Sequence, residues 1–247
     1  MMELESADYV SSIIGERGTG KSTRAIYQAR NLRRQMGSYI IGHSPAGAIG
    51  HWPDVMFHDS LKSLENGLAK KPMFMHFIAS GPSPEEVMQF GRAMALEIRK
   101  RAIKDAGFKF QANRPPPPGV FAPPVHIVID EGTHLEKNPQ HRDKTPGKFR
   151  LVTDAQLEQF LTNLRHEHVT MSWLIQAPTR RNWVYMEQAN RFNVFRYVHE
   201  WGHNAIRAAG IPKEVIAQIK ALPDFRYYSW DKDDPNGGKF VTLPPPD

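Results

Sequence analysis

The sequence predicts an α/β fold in which a central, mostly parallel sheet is flanked by helices and followed by a C-terminal β-hairpin. Three observations predict it. Short apolar, β-branched runs recur between amphipathic stretches, the alternation that a parallel sheet with crossover helices produces. One run, 9–14, leads into Gly15-Glu16-Arg17-Gly18-Thr19-Gly20-Lys21-Ser22, which fits G-x-x-x-x-G-K-[ST] at every fixed position, a P-loop or Walker A motif. Another, 125–129, ends on adjacent carboxylates, Asp130 and Glu131.

The first element is strand, loop and helix start. A triphosphate needs several donors converging on it, and Gly15, Gly18 and Gly20 let the backbone curl so that its N–H groups point inward. The expected phosphate cradle is Gly15, Gly18, Thr19, Gly20, Lys21, Ser22 and Thr23. The helix opening near Lys21 adds its positive end, Lys21 a point charge for the β- and γ-phosphates, and the Ser22 hydroxyl a ligand for Mg2+. The helix 22–36 carries Ala25, Ile26, Ala29 and Leu32 at helical spacing, with Arg24, Arg30, Arg33 and Arg34 off that face, and Gly37 closes it.

A short buried strand at 38–42 follows, then a loop at 43–54 whose glycines and prolines forbid regular structure. A third apolar strand spans 72–79. Ser83-Pro84-Glu85-Glu86 is a capping box with proline at the first helical position, so a helix starts there. Its expected apolar stripe is Val87, Gly91, Met94, Ile98 and Ala102. Arg92, Arg99, Lys100, Arg101 and Lys104 occupy the other face and the end, either against a phosphate backbone or as a solvated face that suits a helix C-terminus.

Residues 107–124 form a proline-rich, exposed insertion in which four consecutive prolines enforce extended geometry. The strand 125–129 then delivers a Walker B pattern: Asp130 holds Mg2+ through water, and Glu131 orients and deprotonates the attacking water. A polar, mostly basic loop covers 136–150. Thr153 caps a helix whose buried face is Leu157, Phe160, Leu161 and Leu164, with Arg165 near its end. A strand at 170–176 finishes on Gln176, where a sensor of the γ-phosphate is expected. Residues 177–190 read as loop and short helix, 192–198 as strand and 211–222 as helix. Strands at 225–230 and 239–243 flank a glycine-rich tip as a hairpin.

At 247 residues the chain suits a single P-loop domain, 1–247, with the insertion at 107–124 and the hairpin at 225–243 as its appendages. Thirty-two Lys and Arg against 26 Asp and Glu give a net charge of +6, a balance that favours polyanionic partners. The absence of cysteine excludes disulfides, thiolate catalysis and cysteine zinc sites. No apolar run reaches the roughly 18 residues a membrane span needs, and the acidic start is unlike a secretory signal, so a soluble, intracellular protein is expected. The histidines lack metal-ligand spacing; those flanking Glu167 suit a solvated helix end.

Taken together, the P-loop strand, the Asp-Glu strand and a strand ending in a polar sensor describe the additional-strand, catalytic-glutamate class of P-loop NTPases, RecA-like in architecture. No N-K-x-D of the nucleotide-switch GTPases is present. The segments IVIDEGTHL, LRHEHVTMSWLIQAPTR and ANRFNVFRYV resemble the HerA/FtsK superfamily of hexameric DNA-pumping ATPases, and the size and closing hairpin look most like the genome-packaging ATPases of membrane-containing, double-jelly-roll viruses. The resemblance implies an ATPase using ATP and Mg2+, a homohexameric ring, and double-stranded DNA as partner, with capsid or membrane vertex proteins as further partners and the host cytoplasm and a virion vertex as locations. Lys21, Ser22, Asp130, Glu131 and Gln176 take the roles argued above. Arg165 matches the arginine that reaches the neighbouring subunit's γ-phosphate, with Arg191 the second candidate.

Two departures stand out: Gly42-His43 replaces an acidic residue that many relatives carry after the second strand, and the proline insertion has no counterpart. DNA contact is expected from the basic segments 136–150 and 104–114. Two alternatives stay open: a phage-assembly or secretion ATPase of the zonula-occludens-toxin type moving protein subunits, and a nucleotide-gated scaffold with slow hydrolysis.

Overall fold

The computed structural model describes residues 10–45, 49–50, 52–111, 116–130, 161–164, 167–176, 188–208, 210–232, 234 and 237–244. Their elements are β1 (Val10–Ile14), α1 (Lys21–Met36), β2 (Tyr39–His43), β3 (Val55–His58), α2 (Leu61–Lys70), β4 (Met75–Ile78), α3 (Pro84–Asp105), β5 (Val125–Ile129), β6 (Val169–Ile175), β7 (Arg191–Phe195), α4 (Glu200–Ala208), α5 (Lys213–Ile219), β8 (Arg226–Asp231) and β9 (Lys239–Thr242). The nine strands form one sheet in the order β3-β4-β2-β5-β6-β1-β7-β8-β9. The first seven run parallel, and β8 and β9 are antiparallel additions beyond β7. The predicted mostly parallel sheet and C-terminal hairpin are both present.

Strands buried on both faces read as continuous apolar runs, and their side chains alternate between two cores. Ile13, Ile40, Val128 and Leu174 join Ala25, Ile26 and Ala29 of α1 on one face. Ile14, Ile41, Ile127, Ile129, Trp173 and Ile175 meet Leu64 and Leu68 of α2, Val87 and Ala95 of α3, and Ile216 and Ile219 of α5 on the other. Gly91 lets α3 settle onto the sheet, since a Cβ there would lie 2.7 Å from Ile127 Cδ1 and 2.8 Å from Ile41 Cδ1.

Helix ends follow their sequence signals. Ser83 Oγ accepts the Glu86 N–H at 3.3 Å while Glu86 Oε2 accepts the Ser83 N–H at 2.8 Å, the reciprocal capping box, a device contributing about 1 kcal/mol. Gly37 terminates α1 at φ 62°, a left-handed turn that glycine adopts without a Cβ penalty.

Several expectations need correcting. The 43–54 loop gives way to β3 and then α2, two elements absent from the sequence reading. On α3 the buried stripe is Val87, Met88, Gly91, Ala95, Arg99 and Ile103; Met94 and Ile98 are only partly buried against the core. Arg99, expected off the apolar stripe, against a phosphate backbone or on a solvated face, is 1% exposed, and its burial lowers its pKa while the Glu167 charge opposes that shift. Arg92 is held by Glu167 through two bonds of 2.5 and 2.6 Å. Arg24 is also buried, with its guanidinium 5.6 Å from the centre of the Tyr227 ring and its Nε donating to Asn193 Oδ1 at 3.4 Å. The described residues of the proline insertion are exposed or half-buried up to Phe121, and its end turns inward at Ala122 and Pro124.

Candidate active site

Because β1, β2, β5 and β6 are parallel, the residues that follow them emerge along one edge of the sheet, the edge where open α/β sheets bind ligands. That edge collects Gly15–Lys21 after β1, Ser44 after β2, Asp130 after β5 and Gln176 after β6. The order β5-β6-β1 places β6 between the Walker A strand and the Asp130 strand. This is the additional strand of the predicted class, recovered from the pairing Ile14↔Ile175 on one side and Ile129↔Trp173 on the other.

The P-loop is anchored at its start by the Gly15 N–H donating to Ile175 O at 3.1 Å, so Gln176 follows the residue that holds the loop. Gly18 and Gly20 have φ 81° and 105°, a region costly for residues with a Cβ. Gly15 is needed for space, because a Cβ there would sit 2.6 Å from Phe195 Cβ. Thr19 Oγ1 and Lys21 Nζ both donate to the Glu16 carbonyl, at 2.8 and 2.7 Å. Arg17 and Gly18 at the loop's crown are exposed, Thr19 and Lys21 are buried, and Gly20 and Ser22 are intermediate. Ser22 and Thr23 occupy the first turn of α1, where unpaired N–H groups and the helix dipole favour an anion.

Asp130 is 5% exposed. Its N–H donates to His43 O at 2.8 Å, and its Oδ2 accepts the Ser44 hydroxyl at 3.1 Å. Ser44 in turn accepts the Ile49 N–H at 2.8 Å, which fixes the hydroxyl's direction. A buried carboxylate so oriented, with the Ser22 hydroxyl and phosphate oxygens, is a donor set of the kind Mg2+ takes. Ser44 escaped the sequence reading, although its position just past the end of a parallel strand was an available signal.

The remaining predicted residues divide. Glu131 and Arg165 lie outside the described residues, as do the 136–150 segment and most of the helix expected from 153. Arg191 opens β7 level with Ser11, so it sits at the opposite edge from the P-loop, and it pairs with Asp231 at 3.0 Å. The C-terminal hairpin was not expected at the site. Phe225, with φ 61°, donates its N–H to Thr19 O at 2.9 Å, and its ring packs over Gly20, where a Cβ would come within 2.9 Å of Phe225 Cδ1.

No family model and no curated protein matches the sequence. Solved structures do. The genome packaging NTPase B204 from Sulfolobus turreted icosahedral virus 2, in complex with ATP-gammaS, aligns with a TM-score of 0.64 and 13% identity over 97% of this chain and 99% of that one. B204 described as the DNA-packaging ATPase from Sulfolobus turreted icosahedral virus gives 0.56 at 14% identity over 96% and 98%. The conjugation coupling protein TcpA of pCW3, a monomer form with ATPgS, gives 0.52 at 14% identity, over 95% of this chain and 60% of that one. Nearly the whole chain therefore has a P-loop NTPase fold, shared with packaging and coupling ATPases, as the sequence resemblance implied. No helix among the described residues is long and apolar enough to cross a membrane.

Proposed function

We propose that this protein is an ATPase that works as a homohexameric ring and uses ATP hydrolysis to translocate double-stranded DNA, as a viral genome-packaging motor acting at a virion vertex from the host cytoplasm. The observation that carries the reading is the insertion of β6 between β1 and β5, which sets Gln176 beside a complete P-loop and Asp130 on the same edge. The shared fold of packaging and coupling ATPases supports DNA as the cargo.

In this reading Gly15 and the Gly18–Thr23 N–H groups cradle the phosphates, and Lys21 turns from the Glu16 carbonyl to the β- and γ-phosphates. Ser22 and Asp130 hold Mg2+, which when bound neutralises charge on the phosphates. Glu131 takes the proton of the attacking water, and Gln176, at the end of a strand hydrogen-bonded to the P-loop strand, passes the presence of the γ-phosphate into the sheet. Arg165 completes the neighbouring subunit's site; Arg191 is the second candidate and would have to leave Asp231. An arginine supplied in trans is worth about 10³ or more in rate, which makes turnover depend on assembly.

Turnover of the purified protein, measured with and without double-stranded DNA, tests the reading. ATP hydrolysis should be stimulated by DNA and abolished in Glu131→Gln, and mixing Arg165→Ala with Lys21→Ala subunits should restore part of it. Absence of hydrolysis under both conditions, with Glu131→Gln indistinguishable from the parent, would show the motor reading to be wrong.

A further inference from the structure

The Walker pattern gives roles to its fixed positions and none to its variable ones, yet the first variable position, Glu16, is bound outside the loop by both backbone and side chain. Its N–H donates to Arg196 O at 3.1 Å, and its Oε1 accepts the Val198 N–H at 3.0 Å. Its Oε2 lies 3.8 Å from Arg196 Nε, and the same guanidinium pairs with Asp224 Oδ1 at 2.9 Å. Glu16 is thus tied to the segment that leaves β7. Its carbonyl, on the loop side, is the shared acceptor of Lys21 Nζ and Thr19 Oγ1.

A carboxylate in a loop built for phosphates is repulsive unless it is turned away and neutralised. Here it is turned to the Val198 N–H, with the Arg196 guanidinium 3.8 Å away. We propose that Glu16 is a positioning residue, fastening the P-loop to the exit of β7 and so fixing the carbonyl against which Lys21 and Thr19 are set before nucleotide arrives. This proposal rests on the nucleotide-binding reading above. The contact that matters is the hydrogen bond to the Val198 N–H, because the 3.8 Å ion pair is long and Arg196 is already engaged by Asp224 at 2.9 Å.

The test is titration of the full chain with a non-hydrolysable ATP analogue and Mg2+, together with steady-state kinetics. Glu16→Ala should bind the analogue about ten-fold more weakly, the effect of one lost hydrogen bond to a charged group. KM should rise by more than kcat falls, since loop placement serves ground state and transition state alike. Glu16→Gln keeps an oxygen acceptor for Val198 and should recover to within about three-fold of the parent. If Glu16→Ala does not fold, Glu16→Met, of similar length without the acceptor, takes its place with the same expected loss. Equal affinity in all variants overturns the role of Glu16 and leaves the ATPase reading intact; equal losses in Gln and Ala variants overturn it too. A parent chain that binds no analogue overturns the ATPase reading and this proposal with it.

Discussion

Two histidines near the outer edge of the sheet make stability depend on pH in a direction the structure fixes. His58 of β3 and His76 of β4 stack with ring centres 5.2 Å apart, and His58 Nε2 lies 2.9 Å from His76 Nδ1. His76 Nε2 is 3.0 Å from Lys71 O, and a carbonyl can only accept, so Nε2 carries the proton and Nδ1 of the neutral ring must accept from His58 Nε2–H. His58 Nδ1 is left to accept from Ser63 Oγ at 3.1 Å. The chain closes with both rings neutral; with both rings protonated, the N–H groups of His58 Nε2 and His76 Nδ1 would be set against each other. Gly67 covers the pair, with its missing Cβ only 2.6 Å from His58 Cε1. Burial lowers the pKa of both rings. For His58 the neighbouring His76 adds to the shift and Asp59 opposes it; for His76 the Lys71 carbonyl opposes it.

Since the folded pKa values lie below the unfolded one, the unfolded chain takes up protons first as pH falls. The neutral pair's contribution is therefore complete above about pH 6.5 and is lost below it. Between pH 6.5 and 5.5 proton uptake by the unfolded chain bounds the loss at about 1 kcal/mol per ring, or ~2 kcal/mol for the pair. That is a sizeable part of a typical total of about 5–15 kcal/mol. Urea denaturation at pH 8, 6.5 and 5.5 measures it, with amide exchange in β3, α2 and β4 reporting the place. The double variant His58→Gln, His76→Asn should be less stable at pH 8 yet lose less stability on acidification to pH 5.5, by up to about 2 kcal/mol. An unchanged pH dependence in that variant would refute the assignment of the acid sensitivity to this pair.

Ser44→Ala removes the hydroxyl that orients Asp130, so the Mg2+ concentration for half-maximal hydrolysis should rise about ten-fold, read from a metal titration at saturating ATP. Arg99→Ala should cost about 3 kcal/mol or more, because it empties a buried site and removes the charge that acts on Glu167. Arg92→Ala, breaking an ion pair whose arginine side chain is 43% exposed, should cost under about 1 kcal/mol in the same denaturation assay.

The phosphate-binding half of the site was legible because its residues are local: the loop's glycines, Lys21 and Ser22 are fixed by spacing within eight positions. Asp130 was legible because a carboxylate closing an apolar strand is costly to desolvate unless it has something to hold. What sequence could not supply was what meets the loop from afar. Phe225 and Val198 reach it through backbone N–H groups, which every residue but proline carries, so no side-chain pattern marks them. The β3 and α2 pair was missed for another reason. VMFH is only four residues long, and the helix after it, capped by Ser60 with Leu61, Leu64 and Leu68 at helical spacing, lasts ten residues and carries a glycine in its last turn. Arg24 and Arg99 were placed off the apolar stripes by charge alone, whereas their long aliphatic stems let them occupy helical stripes facing the core.

The contacts that hold the loop also set an order of events during synthesis. Glu16 leaves the ribosome 182 residues before Val198, the residue that fixes its carboxylate, and Phe225 follows later still. At translation speeds of about 5–20 residues per second the nascent chain carries an unfinished phosphate site for roughly ten seconds or longer. Closing it requires the most distant strands to pair first, the slow kind of contact in folding. A chain interrupted before Phe225 carries the whole P-loop motif but not the backbone N–H that braces it at Thr19.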